Sequence, residues 1–407
     1  MIVAIRSSLA YYAWVVLISK CMKGIFKGLA VAAVLSFVPT FLIWLPLILR
    51  VSNFWNIPLP QNGMATIVAN YDGPLYLVAA KTLYNKAQIA ANFQFPLPTE
   101  YYTAHFPLFP VLIKLGGLIT NYPYSMLIVT ALSSILAIYF FMKLISQYVE
   151  KKDVLFLTIL FSIFPARWLI VRSVGSADPL FVAAIIASLY YFKNKRFWLA
   201  GIWGAVAQFT KSPGILLFLS YLVILFIPLL KNKIFVPAGK WISNLNLKKT
   251  YPILLIPLSL IIVFSFYKIV QGDFWAYFHS GDNIHLTFLP FQIFNFSAPW
   301  VGTFWLEEII FIYLLGAIGV YKLFQKKEYE LGTFSAIFFL LTLFIAHRDL
   351  LRYSLPLIPF LFVAFSDTLV KKEFKIAFYI IIIPIYLYSL AFISQNVMPI
   401  SNWAPFL

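Results

Sequence analysis

The chain has 407 residues, 62% of them hydrophobic, 19% aromatic and only 11% charged. Apolar runs recur from Gly28 to Ile393, far more than a water-soluble domain of this length can bury, which excludes a soluble globular protein. The net charge of +17 would suggest nucleic acid in a soluble protein; here the Lys and Arg gather between apolar runs, as in cytoplasmic membrane loops, so nucleic acid is not an expected partner.

The single cysteine, Cys21, excludes an intramolecular disulfide and a cysteine metal cluster. Long continuous apolar runs choose membrane helices over barrel strands. The expectation is an all-α polytopic bundle with about 11 transmembrane helices, within roughly 10–13. Residues 1–27 carry Arg6, Lys20, Lys23 and Lys27 and no convincing cleavage site, so they read as a retained cytoplasmic interfacial segment. Residues 28–407 read as one transmembrane domain.

The first span, Gly28–Leu49, leads to an outer loop over residues 50–104. That loop holds Asn70-Tyr71-Asp72-Gly73-Pro74-Leu75-Tyr76, with one of only 14 acidic residues in the chain. Residues Tyr76–Tyr84 have the mixed faces of a helix lying along the membrane surface. Residues 105–120 either cross as a short helix or dip in and return, and charge bias favours the second. Tyr124–Tyr148 then runs inward, Val154–Leu169 outward and Pro179–Phe192 inward. Phe197–Phe209 and Ile215–Leu230 pair around an outer turn at Lys211-Ser212-Pro213-Gly214. Residues 231–249, basic and without an acid, form a cytoplasmic loop. Ile253–Val270 exits, Val301–Tyr321 returns, Leu331–Ala346 exits, Leu355–Val370 returns, and Phe374–Ile393 exits last.

On this layout the outer side collects the residues suited to chemistry. Asp72 can take a proton from a hydroxyl, or it can cap the helix that Gly73-Pro74 begins. Arg348 and Arg352 are four apart, so a helix would bring both to one face, where guanidinium forks suit a phosphate. Interfacial snorkelling with Asp349 as a local partner is the plainer reading. Asp178 before Pro179 reads first as a helix cap, and Lys211 as a solvated turn lysine. His279, Asp282 and His285 are a conceivable metal set, although their spacing matches no standard motif. Glu307 and Glu308 are expected to face a cavity or a partner rather than lipid.

Taken together, these pieces resemble the GT-C superfamily of membrane glycosyltransferases, above all the branch of the second GPI mannosyltransferase and its prokaryotic relatives. Tyr71-Asp72-Gly73-Pro74-Leu75-Tyr76 is similar to that branch's aromatic-Asp-x-x-x-Tyr motif, and Phe106-Pro107-Leu108-Phe109-Pro110 to its Phe-Pro-Leu-aromatic-Pro stretch. Ser176-Ala177-Asp178-Pro179-Leu180-Phe181 resembles its Ser-Glu-Ser-Leu-Phe segment, with Asp for Glu and Pro for Ser. Thr210-Lys211-Ser212-Pro213-Gly214 places Lys where the branch has Arg. His347-Arg348-Asp349-Leu350-Leu351-Arg352-Tyr353 resembles a His-Lys-Glu-x-Arg-Phe signature, with one residue more before Arg352. The resemblance spans residues 65–360.

It implies an inverting transfer, to mannosyltransferase pattern, from a polyprenyl-phosphate sugar to a lipid, glycan or protein acceptor, without metal or cofactor. Asp72 would be catalytic. Arg352, Arg348 and Lys211 would meet the donor phosphate, with Tyr71, Tyr76, His105, Asp178 and His347 in support. A transporter or a lipid-linked oligosaccharide flippase is the main alternative. A polysaccharide polymerase and a scaffold without enzymatic activity are the others.

Overall fold

The computed structural model describes residues 2–93, 95, 97–231, 247–281, 285–295 and 306–407. Nearly all regular structure is helical; the one ribbon pairs Asn53–Phe54 with Ile57–Pro58. Most of the expected cytoplasmic loop at 231–249 lies outside the described residues, as does Asp282.

Helix α1 (Ile2–Ile48) runs straight through the segment expected to be separate from the first span. The reason is local: no proline precedes Pro39, so nothing stops the helix earlier. Its part Gly24–Ile48 is long and apolar enough to cross a membrane. So are α6 (Tyr122–Ile145), the stretch Lys248–Gln271 that ends in α12 (Leu255–Gln271), and α17 (Lys372–Gln395). On α1, Val34, Phe37, Val38, Phe41 and Leu42 point outward, an apolar face of the kind that lipid covers.

The expected span Val154–Leu169 is two pieces, α7 (Lys151–Ile163) and α8 (Ala166–Ser173), bent by 68°. Pro165 stands at the break, where it has no backbone N–H to continue the ladder. Counting that pair as one, five helices of the described residues meet the length and composition of a crossing. The others are shorter. Among them are α9 (Asp178–Lys193), α10 (Phe197–Thr210), α11 (Ile215–Lys231), α13 (Leu306–Gln325) and α14 (Tyr329–Thr342), of which only α13 exceeds 17 residues, and it carries Glu307, Glu308 and Lys322. The expected return Leu355–Val370 is represented by α16 (Ile358–Ala364) between short helical turns.

Helix α9 is buried on all sides, which suits its Leu-Phe-Val-Ala-Ala-Ile-Ile-Ala composition. It packs between α6 and α10 at the centre of the bundle. Its 16 residues are about 24 Å long, short of the ~30 Å hydrocarbon layer, but a helix enclosed by protein need not match that layer. At Gly201 on α10 an added Cβ would lie 2.1 Å from Pro252 O, so only glycine permits this approach of the chain leading into α12.

Before α6 come the short helices α2 (Met64–Val68), α3 (Gly73–Thr82), α4 (Lys86–Asn92) and α5 (Leu108–Gly116). The expectation of a surface helix at 76–84 is corrected here. Nine of the ten residues of α3 are buried, because α5 and α6 pack over it. Helix α5 has nine residues, about 14 Å, too few for a crossing.

The helix ends sort into two groups. One end of the bundle joins the C-termini of α1 and α8, where Trp44 Nε1 donates to Ser173 O at 2.7 Å, and carries the Asp72 loop. The opposite end is tied by lysines: Lys193 to Glu328, Lys326 to Asp367 at 2.9 Å and Lys375 to Asp153 at 2.6 Å.

Candidate active site

Four stretches separated in sequence converge at the first of these ends. One is the loop before α3. Gly73 there is irreplaceable on steric grounds, since a Cβ would sit 2.3 Å from Val68 O. Tyr71 adopts a positive φ of 48°, unusual for a side chain of its size. The loop is held from outside by the last turn of α17 and the segment that follows it. Asn70 Nδ2 donates to Ile393 O at 2.7 Å, and Met398 N donates to Ala69 O at 2.8 Å.

Asp72 occupies the cap position of α3, yet its side chain makes no capping hydrogen bond. Its Oδ2 instead accepts from Arg352 Nη2 at 3.0 Å. Asp178, the first residue of α9, is not a cap either. Its Oδ2 accepts from Arg352 Nε at 2.9 Å and from Ser176 Oγ at 2.8 Å, and Lys211 pairs with Oδ1. Lys211 is therefore an ion-pair partner rather than a solvated turn lysine. The chain Lys211–Asp178–Arg352–Asp72 is continuous, and the four residues come from four different elements. The side chain of Asp178 is 6% exposed and that of Arg352 12%, whereas Asp72 is 33% exposed. Asp72 is the accessible end.

Arg352 lies in the short helix α15 (Leu350–Tyr353), its guanidinium carbon 4.3 Å from the centre of the Tyr71 ring. Arg348 precedes that helix and is exposed. The expectation that both arginines share one helical face is thereby corrected: α15 begins too late to include Arg348. Among the described residues Arg348 forms no ion pair, and only Arg352 enters the site.

Around this core stand the aromatic and imidazole groups. Tyr76 sits edge-on to the His105 ring and to Phe109, each at 4.8 Å. The His105 carbonyl accepts from Tyr84 and Tyr267 hydroxyls at 2.6 and 3.2 Å, which fixes the residue, while its Nδ1 is buried with no hydrogen-bond partner among the described residues. His347 stacks on His285 at 4.4 Å, and its Nδ1 accepts from Asp349 N at 3.0 Å.

Electrostatics separate these groups. Burial by itself would raise the Asp72 carboxyl, but Arg352, then His105 and Lys211, outweigh it and hold it below the ordinary carboxylate range. Burial pushes His105 below the usual imidazole value, and the hydroxyl of Tyr71 is driven up for the same reason. His347, buried beside His285, falls to about 4. All three histidine and tyrosine side chains are thus neutral near pH 7, and the charge resides in the carboxylates and cations.

One residue of the site, Arg167, escapes a reading of the sequence. Arg167 donates from Nη1 to the Tyr71 hydroxyl at 3.1 Å and lies 3.0 Å from Asp349 Oδ1 through Nε. Asp349 is its partner rather than that of the neighbouring arginines. A lone cation inside an expected apolar span was the available signal for Arg167. With it, the site holds three carboxylates (Asp72, Asp178, Asp349) and three cations (Lys211, Arg167, Arg352).

Of the conceivable metal set, Asp282 lies outside the described residues. His279 Nδ1 pairs with Asp273 Oδ2 at 2.5 Å, and His285 packs against His347. Among the described residues no three His, Cys, Asp or Glu side chains are grouped to hold a metal ion. Glu307 and Glu308 are exposed in the first turn of α13, where carboxylates complement the helix dipole.

No known protein family matches the chain, and no curated protein is significantly similar to it.

Proposed function

We propose that this chain is an inverting glycosyltransferase of the GT-C type. It moves a sugar, mannose in the first instance, from a polyprenyl-phosphate donor to a lipid, glycan or protein acceptor. The proposal includes about eleven crossings of the cell membrane, with the Asp72 end on the extracytoplasmic face. The observation that carries it is the sharing of Arg352 between Asp72 and Asp178, with only Asp72 accessible. Asp178, held also by Lys211 and Ser176, anchors the guanidinium. Asp72 is the exchangeable partner.

In this reading the donor phosphate takes the Arg352 Nη2 donor that Asp72 holds in the free protein. The freed carboxylate then accepts the proton of the acceptor hydroxyl. That oxygen bonds to the anomeric carbon from the face opposite the phosphate, the bond from carbon to phosphate oxygen breaks, and polyprenyl phosphate leaves with the electron pair. Arg352 and Lys211 meet the charge that grows on it. The test is transfer of labelled mannose from polyprenyl-phosphate mannose to a membrane-extract acceptor by the purified protein. Transfer by wild type and its loss in Asp72→Asn are expected. No transfer from any polyprenyl-phosphate hexose, or an undiminished Asp72→Asn rate, would rule the reading out.

One feature favours a transporter as the second reading: α7 and α8 make a broken helix beside the charged cluster. Flux of a lipid-linked sugar across vesicles without covalent transfer would select it.

A further inference from the structure

We infer that Arg167 is a positioning residue, which sets the Asp72 loop and the Arg352 turn in register by holding Tyr71 and Asp349 at the same time. The inference rests on the reading of Asp72 and Arg352 as the reacting pair.

Arg167 stands in the first turn of α8, just past the bend at Pro165, and is 8% exposed. The bend aims this turn across the floor of the site instead of along α7. From there the planar fork spans two loops. Nη1 donates to the hydroxyl of Tyr71, the residue next to Asp72; Nε lies 3.0 Å from Oδ1 of Asp349, the residue that begins the turn carrying Arg352, as an ion pair without hydrogen-bond alignment. The guanidinium carbon lies 3.9 Å from the Phe392 ring centre, and Phe392 in turn lies against Tyr71 at 5.5 Å. Tyr71 is thus clasped between two guanidinium groups, Arg352 over its ring and Arg167 at its hydroxyl. Such a fork cannot be replaced by lysine, whose single ammonium carries the charge without the two-point geometry. Among the described residues no hydrogen bond or ion pair joins Arg167 to Asp72 or Arg352, so its influence on the pair passes through Tyr71 and Asp349.

The test uses the full chain in detergent on a Cys21-free background, with spin labels at Gln61→Cys and Arg348→Cys reporting on the two stretches. With Arg167 present, one narrow distance distribution is expected; Arg167→Gln broadens it, and Arg167→Lys does so in part. In the transfer assay, Arg167→Lys lowers turnover roughly tenfold, the order of one charged hydrogen bond. It also moves the acid limb of the rate profile upward, toward the ordinary Asp value, because Arg352 is no longer held on Asp72. The groups facing Asp72 are Arg352, His105, Lys211, Tyr76, His347 and Tyr353, and none of them is altered. Tyr71→Phe, which deletes one hydroxyl, shifts the limb the same way by less, and serves if Arg167→Gln does not fold. Unchanged distance widths and an unchanged acid limb in both Arg167→Lys and Tyr71→Phe would overturn the inference. If the wild type transfers no sugar, the functional reading fails while the distances still decide the positioning.

Discussion

The sequence singles out Asp72 as a candidate base and Arg352 as a candidate anion site, but does not show that the two pair. They are 280 residues apart, and no local pattern announces that a guanidinium will be divided between two carboxylates. The pairing has a measurable consequence. In Asp72→Asn the intramolecular competitor for Arg352 is gone, so polyprenyl phosphate should bind about tenfold more tightly, while sugar transfer falls roughly 10²–10⁴-fold with the base. Equilibrium binding in detergent beside the transfer assay checks both. The pH dependence follows from the lowered Asp72 carboxyl. A depressed carboxyl contributes stability that is present above its unfolded value, about 3.9 for Asp, and is lost as pH falls through the lower folded value. Melting temperature should therefore decline below about pH 4, and the decline should be shallower in Asp72→Asn. The two arginines should also part company. Arg348→Ala, at an exposed position without a pair among the described residues, should leave donor binding within about twofold, and Arg352→Ala should abolish it.

Helix positions could be read well where polar punctuation is dense, as at Asn121–Tyr122 before α6 and at Lys371–Lys372 before α17. Bends could not. Pro165 sits inside an apolar run that looks continuous, and Tyr76–Tyr84 looks amphipathic only because the helices that bury it lie elsewhere in the chain. Arg167 was missed for the same reason: its partner Tyr71 is 96 residues away. A second buried cation, Arg172, shows what such charges do for whole elements. Pro39 lacks the N–H that would bond Leu35 O within α1, and Arg172 Nη2 reaches that carbonyl at 3.5 Å and Ser36 O at 3.0 Å. Its Nη1 donates to Ser162 O near the end of α7. Arg172→Met should thus destabilise by about 1–3 kcal/mol for each carbonyl stranded. Pro39→Ala restores the helical bond, so the double variant should lose less than the sum of the two single changes, as thermal melts of the four proteins will show.

The whole molecule separates its charges by end. The Asp72 end gathers a balanced cluster of carboxylates and cations, and the opposite end is fastened by lysines to Glu328, Asp367 and Asp153. If the lysine end is cytoplasmic, a cysteine placed at Lys195 on a Cys21-free background should resist membrane-impermeant thiol reagents in intact cells. One placed at Gln61 should react. The reverse pattern would invert the proposed orientation and put the site on the other face.

The clasp between the Asp72 loop and the end of α17 with the segment beyond it also bears on how the protein is made. Asn70 bonds to Ile393, Ala69 to Met398, and Lys81 Nζ to Pro405 O at 2.8 Å, contacts between residues 323 to 329 positions apart. More than three hundred residues beyond the Asp72 loop must leave the ribosome and enter the bilayer before these bonds can close, and distant pairings of this kind form late. During synthesis the Asp72 loop is therefore unlatched, and a chain stalled or clipped before Ile393 would carry every side chain of the proposed site without the brace that arranges them. Such a chain should be inserted yet cut readily by protease between residues 60 and 72, and, on the proposed function, a nascent product should be inert toward lipid-linked sugar until α17 is in place.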